Sequence, residues 1–137
     1  MIRSQRTRLT SAVAAAALVL TVSACSSGAA DCEEAFTAAS LSVPGVVSAE
    51  WDCSDQFGGG WQRGDVVIEA TTQDEAAQVV DAVLRAYAAS PELDDAWATP
   101  QEYVSEDGSV VASAGDAGFH AVPNVGEVRE HYGITPG

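Results

Sequence analysis

The stretch Val46-Val47-Ser48-Ala49-Glu50-Trp51-Asp52-Cys53 decides the fold. Val47, Ala49, Trp51 and Cys53 fall on one side of an extended chain, and Val46, Ser48, Glu50 and Asp52 on the other. A period of two with one mainly apolar side predicts a strand that is half buried in a sheet. Upstream, Asp31–Leu41 has the period of a helix, with Cys32, Phe36 and Ala39 on one face. Asp31 can cap it, and Glu33 and Glu34 stand in the first turn, where the dipole favours negative charge. Val43-Pro44-Gly45 stops that helix before the strand. Both periodicities aim a cysteine inward, Cys32 from the helix and Cys53 from the strand.

Downstream, Ser54–Gly64 carries Gly58-Gly59-Gly60 between Phe57 and Trp61. No strand-to-helix phosphate-loop pattern surrounds these glycines, so a mobile connection between strands is expected. Phe57 and Trp61 are candidate partner contacts on its rim. Arg63-Gly64-Asp65 spells a cell-adhesion tripeptide, too short to carry weight. Asp65–Thr71 is the second expected strand, with Val66, Ile68 and Ala70 on one face. Thr72-x-x-Glu75 is a capping box, and Ala76, Val79, Val80, Val83 and Tyr87 form the apolar stripe of a helix that stops at Ser90-Pro91. Gln101–Ser105 and Ser109–Ala114 flank Glu106-Asp107-Gly108, a hairpin signal. Phe119–Val122 is a further short strand candidate, and Asn124-x-x-Glu127 opens a terminal helix closed by Gly133. The expected class is α+β: a small two-layer sandwich, an antiparallel sheet of about four strands with helices on one face. The strand-strand-helix-strand section resembles part of a ferredoxin-like sandwich, without a strand before the first helix; that fold hosts many unrelated functions.

The first 24 residues have the three parts of an export signal. Arg3, Arg6 and Arg8 are the positive region, Ala12–Leu20 the apolar one, and Ser23-Ala24 the small residues before a cut. The apolar core is about ten residues, against the ~20 that a spanning helix needs. Val22-Ser23-Ala24-Cys25 then resembles the lipobox of bacterial lipoproteins, with Val in place of the commoner Leu at its first position. That resemblance implies a cleaved signal (1–24), a diacylglyceryl group on the Cys25 sulfur, and a tether over 25–30 ahead of a single domain, 31–137. Two acyl chains satisfy the requirement for stable anchoring at the extracytoplasmic face of the membrane. Giving Cys25 to the lipid leaves Cys32 and Cys53 as an even pair in an oxidising compartment, and a disulfide between them is expected. A redox-active pair would favour a Cys-x-x-Cys spacing instead.

From Cys25 onward three arginines face twenty carboxylates, a net charge of −17, and lysine is absent. Such a domain repels phosphate backbones, which excludes nucleic acid, and it also repels anionic headgroups, so membrane contact falls to the lipid. The acids are spread along the chain and serve solubility, or else meet a basic protein. His120 and His131 are the only histidines. His131 suits a helix C-terminus, and His120 beside Asp116 is the one suggestive catalytic pair. No metal-ligand spacing and no cofactor motif is present, so neither metal nor cofactor is expected. The expected function is a non-enzymatic protein- or ligand-binding lipoprotein of the envelope. The alternative is a small metal-binding or hydrolytic enzyme using His120 and nearby carboxylates.

Overall fold

A computed structural model describes residues 28–56 and 60–137. The signal segment, Cys25 and Phe57 lie outside the described residues. The elements in order are α1 (Gly28–Leu41), β1 (Val46–Ser54), β2 (Trp61–Ile68), α2 (Gln73–Ala89), β3 (Tyr103–Ser105), β4 (Val111–Ala112), a 3-10 turn (Ala114–Ala117) and α3 (Val125–Tyr132). The strands form one sheet in the order β1-β2-β3-β4. Among the described residues no helix is long and apolar enough to cross a membrane.

The α+β class, the four strands and the one-sided helical layer are as the sequence predicts. The sheet is mixed, however, rather than antiparallel throughout: β1–β2 and β3–β4 are antiparallel, and β2–β3 is parallel. Helix α2 returns the chain across the inner face, so β3 enters in the direction of β2. With no strand between the two, they pair in parallel, as a crossover connection requires.

Local chemistry sets the element ends. Thr72 caps α2, its hydroxyl accepting the Glu75 N–H at 3.2 Å, while the Glu75 carboxylate accepts the Thr71 N–H at 3.1 Å. Asn124 caps α3 by accepting the Glu127 N–H at 2.8 Å. In the β3–β4 turn one Asp107 oxygen accepts from the Ser105 hydroxyl and from both the N–H and hydroxyl of Ser109, and these bonds hold its carboxyl below the usual range. Helix α1 starts three residues before Asp31, which therefore sits in the first turn instead of capping. Ala29 and Ala30 are strong helix formers, and Ala29 packs on the core, so residues 28–30 of the expected tether are helical.

The strand β1 keeps its alternation from Ala49 onward, but a bulge between Val46 and Ser48 breaks it. Val46 lies opposite Ile68 and packs on the core, and Val47, expected inside, is 42% exposed. The extra residue of a bulge shifts which side chain faces inward. The strand β2 begins at Trp61, four residues before the expected start, because Gly64 has a packing role there. Trp51 lies directly opposite Gly64, and a Cβ on that glycine would come 2.6 Å from the indole. The Arg63-Gly64-Asp65 tripeptide is thus mid-strand, under a tryptophan ring, and not at a loop tip.

The core is aromatic at its centre. Phe36 stacks on Trp51 with ring centroids 3.8 Å apart, and Tyr87 meets Phe36 edge-on at 5.2 Å. The Tyr87 hydroxyl bonds the buried Ser40 hydroxyl at 2.7 Å, and Ser40 also donates to the Phe36 carbonyl. Cys32 and Cys53 are bonded, as expected, joining α1 to the end of β1. Closing a loop of about 20 residues stabilises the fold by roughly 3 kcal/mol on the chain-entropy model. Arg129 closes the far side: its guanidinium donates to the carbonyls of Ala88, Ser90 and Leu93 at the C-terminal end of α2 and pairs with Asp95.

Candidate functional site

Two surfaces merit functional reading. The first is the outer face of the sheet. Side chains of β2 alternate, with Val66 and Ile68 in the core and Trp61, Arg63, Asp65 and Val67 on the other face. Both α1 and α2 pack on the core side. On the outer side Val67 and Val104 are half-buried and Val111 is exposed. The strand register sets Ser48, Val67, Val104 and Val111 in one row across four strands. The next row opposes Glu50 to Asp65, and Glu102 lines a cleft of about 490 Å³ together with Asp65.

Trp61, a candidate contact, starts β2 and is 39% exposed. The Arg63 guanidinium lies 4.5 Å above its ring, a cation–π contact. Gly60 ahead of it has φ +73, and a Cβ there would come 1.9 Å from the Ser54 carbonyl oxygen, so the turn needs glycine on both counts. Phe57, the other candidate, cannot be placed beside it because it lies outside the described residues.

The second surface is a hollow of about 560 Å³ lined by Phe119, His120, Glu127, Glu130 and His131. Phe119 is not in a strand; its ring packs on His131 with centroids 4.2 Å apart and on Tyr132 at 6.0 Å. His120 lines this hollow together with the two glutamates and the other histidine, and Asp116 is not among its lining. The Asp116 carboxylate accepts the Ser113 N–H at 2.9 Å and the Gln73 amide at 3.3 Å, which makes it the capping group of the 3-10 turn. The structure therefore separates the pair expected from sequence adjacency and brings the two histidines to one hollow. Glu127, Glu130 and His131 recur at i, i+3 and i+4 on α3, a spacing that was available in the sequence. Among the described residues no group of three or more His, Cys, Asp or Glu is arranged to hold a metal ion.

Behind the hollow, Asp81 accepts the Tyr132 hydroxyl at 2.7 Å and pairs with Arg85 at 2.9 Å. Partial burial pushes the Asp81 carboxyl up, but the Tyr132 and Arg85 bonds outweigh it and hold it below the usual range. Burial and the Asp81 bond together push the Tyr132 phenol upward.

Fold and surface together define a class: a small, acidic, disulfide-stapled α+β domain with a valine row on its outer sheet face. The chain matches no protein-family model, and neither curated proteins nor solved structures gave a match.

Proposed function

We propose that this chain is a cell-envelope lipoprotein, held at the extracytoplasmic face of the membrane by a diacylglyceryl group on Cys25. Its folded part is a non-enzymatic module that binds another protein. Support for the anchor comes from the export segment, the Val22-Ser23-Ala24-Cys25 lipobox and a bonded Cys32–Cys53 pair, which suits an oxidising compartment. Helix α1 is described from Gly28, three positions after Cys25 in the sequence. Gly28 lies near Asp55, so the end of β1 would be membrane-proximal.

The observation that carries the binding reading is the outer sheet face with its apolar row. The resemblance of the β1–β2–α2–β3 section to part of a ferredoxin-like sandwich is compatible with it and adds no activity. Cells fed a labelled fatty acid test the anchor: the wild type is expected to carry label in the membrane fraction, and Cys25→Ala to lose both. An unlabelled wild type shed into the medium refutes it.

The second reading, a small metal-binding or hydrolytic enzyme, draws on the hollow that gathers His120, His131, Glu127 and Glu130. It requires that His120→Ala abolish the phenotype with the fold intact. An unchanged phenotype removes it.

A further inference from the structure

We propose that the row Val67–Val104–Val111, with the carboxylates Glu50, Asp65 and Glu102 beside it, is a docking surface for a cationic polypeptide segment. The inference rests on the binding-module reading above and names its surface and partner chemistry. Val67, Val104 and Val111 are direct cross-strand neighbours, and Val111 is 48% exposed. They form one apolar row on the face opposite the core, into which α1 and α2 pack among the described residues. Val67 and Val104 are half-buried, so the row is a narrow apolar strip that ends at the exposed Val111.

Charge selects the occupant. Glu50 and Asp65 are exposed and directly opposed across β1 and β2, and like charges in that position destabilise a sheet. Asp65 also shares its cleft with Glu102. Arg63 is the one cation lining that cleft, and its guanidinium stacks on Trp61. A cationic group laid along this row relieves the repulsion that the fold maintains. A second copy of the chain is disfavoured, because it would bring another −17 against the same face. The two rows are two strand residues apart, about 7 Å. That is the i to i+2 step of an extended segment, with apolar side chains on the valines and Lys or Arg on the acids.

The test is photo-crosslinking of the full-length chain in its own membrane, with p-benzoylphenylalanine at Val111 or, as a control, at the exposed Gln78 on α2. Val111 is expected to yield an adduct with a protein of net positive charge, and Gln78 none. Glu50→Gln with Asp65→Asn, both at exposed positions, is expected to cut the Val111 yield at least five-fold while leaving the circular dichroism unchanged. An adduct at Gln78 alone overturns the surface but spares the binding-module reading. A Val111 adduct with a second copy or an acidic protein, or one indifferent to the double substitution, overturns the partner chemistry. Absence of adducts at both positions defeats the binding-module reading itself.

Discussion

Tyr103→Phe removes one oxygen from the middle of the core and is expected to stabilise the protein. The Tyr103 ring is 0% exposed, and its hydroxyl has no hydrogen-bond partner among the described residues. Burial, with smaller effects from Tyr87 and Tyr132, pushes the phenol well above its ordinary value, so the group is a neutral hydroxyl at every working pH. An unsatisfied buried hydroxyl costs about 1–3 kcal/mol relative to water. The void left by its removal, ~10 Å³, costs only about 0.2 kcal/mol at ~24 cal/mol per Å³. The balance favours Phe by about 1 kcal/mol, or roughly 4 °C in Tm for a domain of this size. Tyr87→Phe is the paired measurement, the same deletion where the hydroxyl does bond Ser40 at 2.7 Å. It is expected to cost about 1 kcal/mol, the usual net worth of such a bond. Urea unfolding followed by circular dichroism gives both values, with m unchanged in each case. If Tyr103→Phe destabilises as much as Tyr87→Phe, the Tyr103 hydroxyl is bonded and the reasoning fails.

Gly64→Ala would drive a methyl to 2.6 Å from Trp51, and is expected to cost about 1–3 kcal/mol, the usual range for overpacking, seen as a lower urea midpoint. Cys32→Ser with Cys53→Ser should lose about 3 kcal/mol, and reductant should do the same to the wild type but not to the double variant. Acid lowers stability through Asp81. Its folded carboxyl titrates below the ordinary 3.8, so its contribution is full above that pH and is lost as pH falls through the folded value. Asp81→Asn is therefore expected to flatten the acid limb below about pH 4 in melts taken across the pH range. An unchanged limb would mean that Tyr132 and Arg85 do not hold that carboxylate.

The sequence carried the helices well because their signals are local. Thr72 and Asn124 cap by accepting the N–H groups three residues on, although Glu75 returns its bond to Thr71 and Glu127 returns none among the described residues, and Val80, Val83 and Tyr87 are buried as their spacing demands. The Cys32–Cys53 bond followed from two periodicities pointing the same way. Three things were not legible. The start of β2 was hidden because Gly64 is a poor strand former until its partner Trp51 is known. The bulge at Val47 was hidden because alternation alone cannot reveal an unpaired residue. The parallel β2–β3 pair was hidden because strand order is a property of the whole sheet. The His120–Asp116 pairing failed for a related reason: sequence neighbours compete with helix caps for the same carboxylate, and the cap of the 3-10 turn took Asp116.

The position of the positive charges limits what the acidity can be for. Arg129 is spent on three carbonyls and Asp95, Arg85 on Asp81 and the Tyr132 ring, and Arg63 on the Trp61 ring. Each of the domain's arginines thus already serves an internal contact. Across β1 and β2 the register sets Asp52 opposite Arg63, whereas the opposed Glu50 and Asp65 work against the sheet that carries them. This opposed pair beside the valine row is the feature on which the proposed cationic partner rests. Solubility would be served equally by carboxylates spread away from one another.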